Sequence, residues 1–263
     1  MKNMLKHLFC SNPGKKAHPA AAALNLLLVC GLLTAIFWLS LAAINVAFDF
    51  SFVVTFRTRL WRGFIVTLEL SVLSMLISLA IGVLSALGQG SRILAIRYLC
   101  NIYVKFIRGT PLIMQIYLFF YIIGTAWGVT NRLLAGALIL SIFEGAYIAE
   151  IIRGSMLSID ASQLEAARAV GLTRVQTARY IIVPQLVART LPALTGQFAS
   201  IVKDSSLLSM ISVIELTQTM REISATNFRL FECYIFLGLL YLCLTLPITF
   251  VSKRMERRFD YAS

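Results

Sequence analysis

Two ionisable residues stand inside otherwise apolar stretches of this sequence: Glu144 within 133–152 and Lys203 within 190–214. A charge at the centre of a bilayer costs roughly 2.5–3.5 kcal/mol on insertion scales, so such residues face a cavity or a partner rather than lipid. They could therefore hold a charged solute. The competing reading is structural: the two pair with each other, or Lys203 pairs with Asp204 or another helix. Glu69 and Glu150 lie nearer the ends of their apolar stretches, where water can reach them. Other chemistry has little to build on. The only histidines, His7 and His18, lie in a polar N-terminal tail, and Cys10, Cys30, Cys100, Cys233 and Cys243 show no CxxC spacing. The sequence thus offers no catalytic residue, no metal site and no cofactor motif.

A different kind of signal lies in 153–189, the longest polar interruption of the chain. Ser162-Gln163-Leu164-Glu165 fits a capping box, with the Ser162 hydroxyl accepting from the Glu165 amide and the Glu165 side chain reaching back. Ala166, Ala167, Arg168 and Ala169 favour helix, and Gly171 suits the left-handed position just past its end. Thr173-Arg174-Val175-Gln176 fits a second capping box, opening a helix that runs to about Ile182 and yields before Pro184. The stretch encodes helix, glycine turn, helix.

The elements that must position these residues are membrane helices. Of 263 residues, 59% are hydrophobic and 14% charged, against roughly 25% charged in soluble domains. The surplus apolar surface is explained by lipid. Residues 22–47 would make a helix of about 39 Å, too long for a signal-peptide core of about 7–15 residues. The further spans are 63–87, 112–128, 133–152, 190–214 and 232–252. Before the third, 93–107 places Arg97, Asn101, Lys105 and Arg108 along one helical face, an amphipathic lead-in at the interface, and Pro111 marks a kink. Ala137, Ser141, Gly145 and Ala149 form a small-residue stripe that lets a neighbouring helix approach closely. The net charge of +12 sits at the ends of apolar segments, which favours a membrane over nucleic acid. With the N-terminus inside, 17 Lys and Arg fall on the inner side and 6 on the outer, so both termini are expected in the cytoplasm.

Residues 165–184, EAARAVGLTRVQTARYIIVP, resemble the EAA loop of ABC importer permeases, with Glu165, Ala166, Ala167, Gly171, Ile181 and Pro184 in register and Val183 in place of the usual Leu. FIRGTPLIMQIYLFFY (106–121), GAYIAEIIRGSM (145–156), KDSSLLSMISV (203–213) and the C-terminal KRMERRFD are similar to segments of polar-amino-acid permeases. The resemblance covers roughly 60–258. It implies an all-α integral membrane fold of the type I importer kind: a five-helix core over 61–263, with coupling loop 153–189. Outside it lie a cytoplasmic basic tail, 1–19, and an extra helix and periplasmic loop, 20–60, making six transmembrane helices. It also implies a bacterial inner-membrane location and a set of partners: two cytoplasmic ATP-binding subunits, a second permease chain, a periplasmic substrate-binding protein and an amino-acid substrate. The EAA helix would dock on the ATPase. No GxxxxGK[ST] occurs, so the ATP site is expected on the separate subunit. Within this reading, Glu144 would meet the substrate ammonium and Lys203 its carboxylate. The alternative is a secondary amino-acid transporter with no ATPase partner, which leaves the capped loop unexplained.

Overall fold

The structure is a computed structural model that describes residues 18–44 and 48–259. Most of the basic tail read over 1–19 and the end of the first span, 45–47, lie outside the described residues. The described chain is helical throughout, with no strand among its elements. Two units are distinguished, up to Asp49 and from Phe50 onward.

The first unit holds α1 (Pro19–Ile44). It is apolar all round, and Leu26, Leu27, Leu32 and Trp38 are exposed, the pattern of a helix solvated by lipid. Its few polar groups are satisfied within the helix: the Thr34 and Ser40 hydroxyls donate to the carbonyls of Cys30 and Ile36, each four residues back.

The second unit begins with a single turn, α2 (Phe52–Thr55), and a long helix, α3 (Arg57–Gln89), of about 50 Å. Its main partner is α6 (Arg132–Leu157), which runs parallel to it. The two approach through small residues. Ser71, Ser74, Ser78 and Gly82 of α3 are buried, as are Ala137, Ser141, Gly145 and Ala149 of α6. A Cβ on Gly82 would lie 2.5 Å from Ile148 Cγ2, and one on Gly145 would lie 2.7 Å from Ile81 Cγ2, so only hydrogen fits at either crossing. Ser74 Oγ donates across to the Ala137 carbonyl at 3.3 Å, and Ser141 Oγ to the same carbonyl at 2.6 Å. The stripe read from the sequence is the α3–α6 seam.

Between them the chain forms α4 (Leu94–Gly109) and α5 (Leu112–Tyr117), the latter continued by a π-helical stretch, Leu118–Gly124. The break at Thr110–Pro111 turns the axis by 114°, a far sharper event than the kink expected within one span. The Gln115 side-chain amide, fully buried, stabilises the corner by donating to the carbonyls of Ile107 (2.8 Å) and Thr110 (3.2 Å) and to Thr110 Oγ1 (2.7 Å). Those groups are left open because Pro111 brings no N–H and the helix stops.

Helix α9 (Val183–Asp204), a 3₁₀ stretch (Ser205–Ile211), α10 (Leu216–Asn227) and α11 (Leu230–Phe259) complete the unit. Glu215, wholly buried, caps α10 by accepting from the amides of Thr217 and Gln218 and the hydroxyl of Tyr241. Thr67 Oγ1 accepts from the Leu216 amide at 3.0 Å, which pins α10 to α3.

Among the described residues, four helices are long and apolar enough to cross a membrane, or five if the bent pair counts as one span. Six are expected from the sequence. The difference is the stretch read as 190–214, where the α-helix is Val183–Asp204 and carries Arg189, Lys203 and Asp204. Packed between α6 and α11, it is shielded by protein as much as by lipid and can afford a polar face.

Candidate functional site

The loop 153–189 folds into the helix, turn and helix that its residues encode, with two differences. Helix α7 (Ala161–Ala169) is capped by Asp160, not Ser162. The Asp160 carboxylate accepts from the Ser162 amide at 3.0 Å, and hydrogen bonds from the Ser162 backbone and side chain hold it below the usual carboxylate range. The Ser162–Glu165 box does not form because the chain leaves α6 through a turn and bend at Ser158 and Ile159 and is already helical at Ala161. Either residue type can cap, and the one at the end of the bend does so.

The C-terminal end follows the glycine signal. Gly171 has φ +80°, its amide donates to the Arg168 carbonyl, and the Leu172 amide donates to the Ala167 carbonyl, both at 3.0 Å. This is the Schellman arrangement, and it places a left-handed residue where only glycine is unstrained. The second box forms as read. Thr173 Oγ1 accepts from the Gln176 amide and Gln176 Oε1 from the Thr173 amide, opening α8 (Arg174–Thr177).

The second difference is at Pro184. The helix does not yield there. It passes through a π-helical stretch, Ala178–Ile182, into α9, with Pro184 in that helix's first turn. The widened π turn accommodates a residue that has no N–H to donate and whose ring would clash with a regular preceding turn.

These segments enclose a shallow groove of about 420 Å³. Ala166, Ala167, Ile181 and Pro184, four of the six loop residues singled out by sequence, line it together with Leu172 and Tyr180. Gly171 forms the turn, and Glu165 lies exposed on the outer side of α7. Val170, Val175 and Tyr180, which no sequence signal marks, are 75%, 75% and 65% exposed. Three large apolar groups are thus turned outward on a small polar loop.

Within the bundle, Glu144 of α6 is completely buried. Its partner is Gln197 of α9, whose side-chain amide donates to Glu144 Oε2. Asp204 of α9 also approaches it, while Glu144 Oε1 has no hydrogen-bond partner among the described residues. Lys203 is exposed and forms no ion pair with Glu144 among the described residues. The structure therefore does not bring the two sequence candidates together. Successive residues on a helix point about 100° apart, so Asp204 turns inward and Lys203 outward. Gln197 lies 53 residues from Glu144, and no local pattern marks it as the partner. Glu150 is paired, to Arg108 at 3.2 Å and to Arg153. The Arg108 guanidinium also lies 5.5 Å from the Tyr147 ring centroid, which ties the end of α4 to α6.

Residues 78–261 match the family described as binding-protein-dependent transport system inner membrane component. The chain is 36% identical over 213 residues to the glutamine transport system permease protein GlnP of Escherichia coli (strain K12), covering 80% of this chain and 97% of that protein. It is 35% identical over 200 residues to the L-cystine transport system permease protein TcyB of Bacillus subtilis (strain 168), covering 75% and 85%. Among solved structures it is similar to a chain of an amino acid ABC transporter crystallised with histidines: TM-score 0.76, 34% identity, 81% of this chain and 100% of that one.

Proposed function

Because this chain belongs to the family of binding-protein-dependent transport system inner membrane components, we propose that it is the membrane-spanning subunit of an ATP-driven importer and conducts a polar amino acid. The observation that carries the proposal is the loop between α6 and α9: a capped helix closed by a left-handed Gly171, with Val170, Val175 and Tyr180 exposed beside a groove lined by Ala166, Ala167, Ile181 and Pro184. A short rigid helix presenting apolar groups outward suits docking on a partner of complementary shape. In this reading the partner is a cytoplasmic ATP-binding subunit, two per complex. A second permease chain and a periplasmic binding protein complete the machine. Both termini and the loop lie on the cytoplasmic side, in keeping with the excess of Lys and Arg there. The relatives named for glutamine and for cystine support an amino acid as substrate. Glu144 and its partner Gln197 then form the polar point of the translocation path and hold the substrate ammonium.

A photo-crosslinking residue at position 170, in cells making the ATP-binding subunit, tests both docking and orientation. The expected result is a cross-link to that subunit, absent when the probe sits at Trp61 on the opposite end of α3. A loop at 170 that labels only from the periplasmic side would contradict the assignment.

A further inference from the structure

The coupling helix is not attached to the bundle by its ends alone. Arg189, two turns into α9, donates from Nη1 to both the Ser158 carbonyl and the Ser158 hydroxyl, each at 2.6 Å. Its Nη2 donates to Gln185 Oε1 at 3.4 Å, and the Gln185 amide donates to Gln163 Oε1 at 2.6 Å. Ser158 caps the C-terminal end of α6, Gln163 lies on α7, and Arg189 and Gln185 lie on α9. One relay of side chains thus spans the end of one long helix, the coupling helix and the start of another. The covalent link from α6 to α7 is only Ser158–Asp160. A link that short restricts the distance between the helices but leaves their angle to side chains.

We infer that Arg189 is a positioning residue for coupling: through Ser158 and Gln185 it locks the angle of α7 to α6 and α9, so that a movement of the docked helix reaches the bundle instead of being absorbed at the Ser158–Asp160 link. The inference rests on the docking role proposed for the loop. The guanidinium suits the task, since its planar fork can hold Ser158 on one nitrogen and Gln185 on another, whereas an ammonium acts as a point. Arg189 itself lies outside the groove and the exposed apolar cluster, while Gln185 and Gln163 of the relay line the groove, so Arg189→Ala removes no residue of the docking surface and subunit binding is measured beside uptake.

The test is ATP hydrolysis and uptake measured together on complexes in proteoliposomes, using the labelled amino acid that the wild-type complex accumulates. Arg189→Ala, which loses all three hydrogen bonds of the guanidinium, should still bind the ATP-binding subunit and hydrolyse ATP at the wild-type rate, while uptake per ATP falls at least about tenfold, the change that the loss of even one hydrogen bond to a charged group would give. Arg189→Lys, which keeps the charge and can reach Ser158 alone, should fall between the two. Wild-type uptake per ATP in Arg189→Ala would overturn the inference. So would loss of subunit binding in step with loss of uptake, which would place Arg189 in docking or folding. A wild-type complex with no ATP-driven uptake would refute the importer reading itself, a result separable from either.

Discussion

Gly171→Asp should leave a permease that inserts and folds but no longer retains its ATP-binding subunit. Gly171 sits at φ +80°, where an ordinary side chain costs roughly 1–2 kcal/mol. Apart from its chain neighbours, no described residue has an atom within 4 Å of where its Cβ would be, so no packed neighbour need shift. In the proposed complex, a docked partner would fill that open space. There the substitution puts a methylene and an unpaired carboxylate into a contact, and an uncompensated charge buried at an interface costs about 3–5 kcal/mol. Affinity for the ATP-binding subunit should fall on the order of a hundredfold or more, with uptake lost in parallel. Co-purification at graded salt, alongside the thermal midpoint of the isolated permease, separates this from misfolding. Wild-type retention of the subunit by Gly171→Asp would remove the turn from the docking surface.

Glu144→Gln should give the complementary phenotype, a complex that assembles normally and transports poorly. A carboxylate paired with a buried cation would leave that cation stranded when neutralised, at a cost in stability. Here the described neighbours are the neutral amide of Gln197 and the carboxyl group of Asp204, and Lys203 is exposed, so a neutral isostere strands no cation. The amide keeps shape and hydrogen-bonding capacity and loses only charge. If the carboxylate holds the substrate ammonium, its loss removes a charge-assisted hydrogen bond of about 1.5–3 kcal/mol, and uptake should fall on the order of ten- to a hundredfold. Uptake in vesicles with saturating binding protein and the melting temperature of the same preparation give both readouts. A lowered melting temperature would make Glu144 structural, and wild-type values for both would make it a bystander.

Local signals were the legible ones. The left-handed glycine, the Thr173–Gln176 box, the break at Pro111 and the small-residue seam all depend on residues within a few positions of one another, and each was found where the sequence put it. What escaped depends on groups distant in the chain or on competition between neighbours. Asp160 and Ser162 are both good caps, and the exit angle of α6 decides between them. Pro184 reads as a stop, yet the π stretch before it lets the helix continue. Glu144 finds Gln197 through the packing of α6 on α9. The helix Val183–Asp204 lies among other helices, so its polar face hides it from a count based on apolarity. The two coupling contacts at Ser158 join residues 31 apart, which no periodicity reports.

In the proposed importer, this chain moves an amino acid only when a separate subunit docked on its loop hydrolyses ATP. Accumulation of labelled glutamine or cystine in proteoliposomes holding the permease, with ATP and the ATP-binding subunit supplied or withheld and binding protein present, tests it most directly. The account predicts uptake with both supplied, none when either is withheld, and none with Gly171→Asp under any condition. Accumulation driven by an ion gradient, with neither ATP nor the second subunit, would contradict it and identify a secondary transporter.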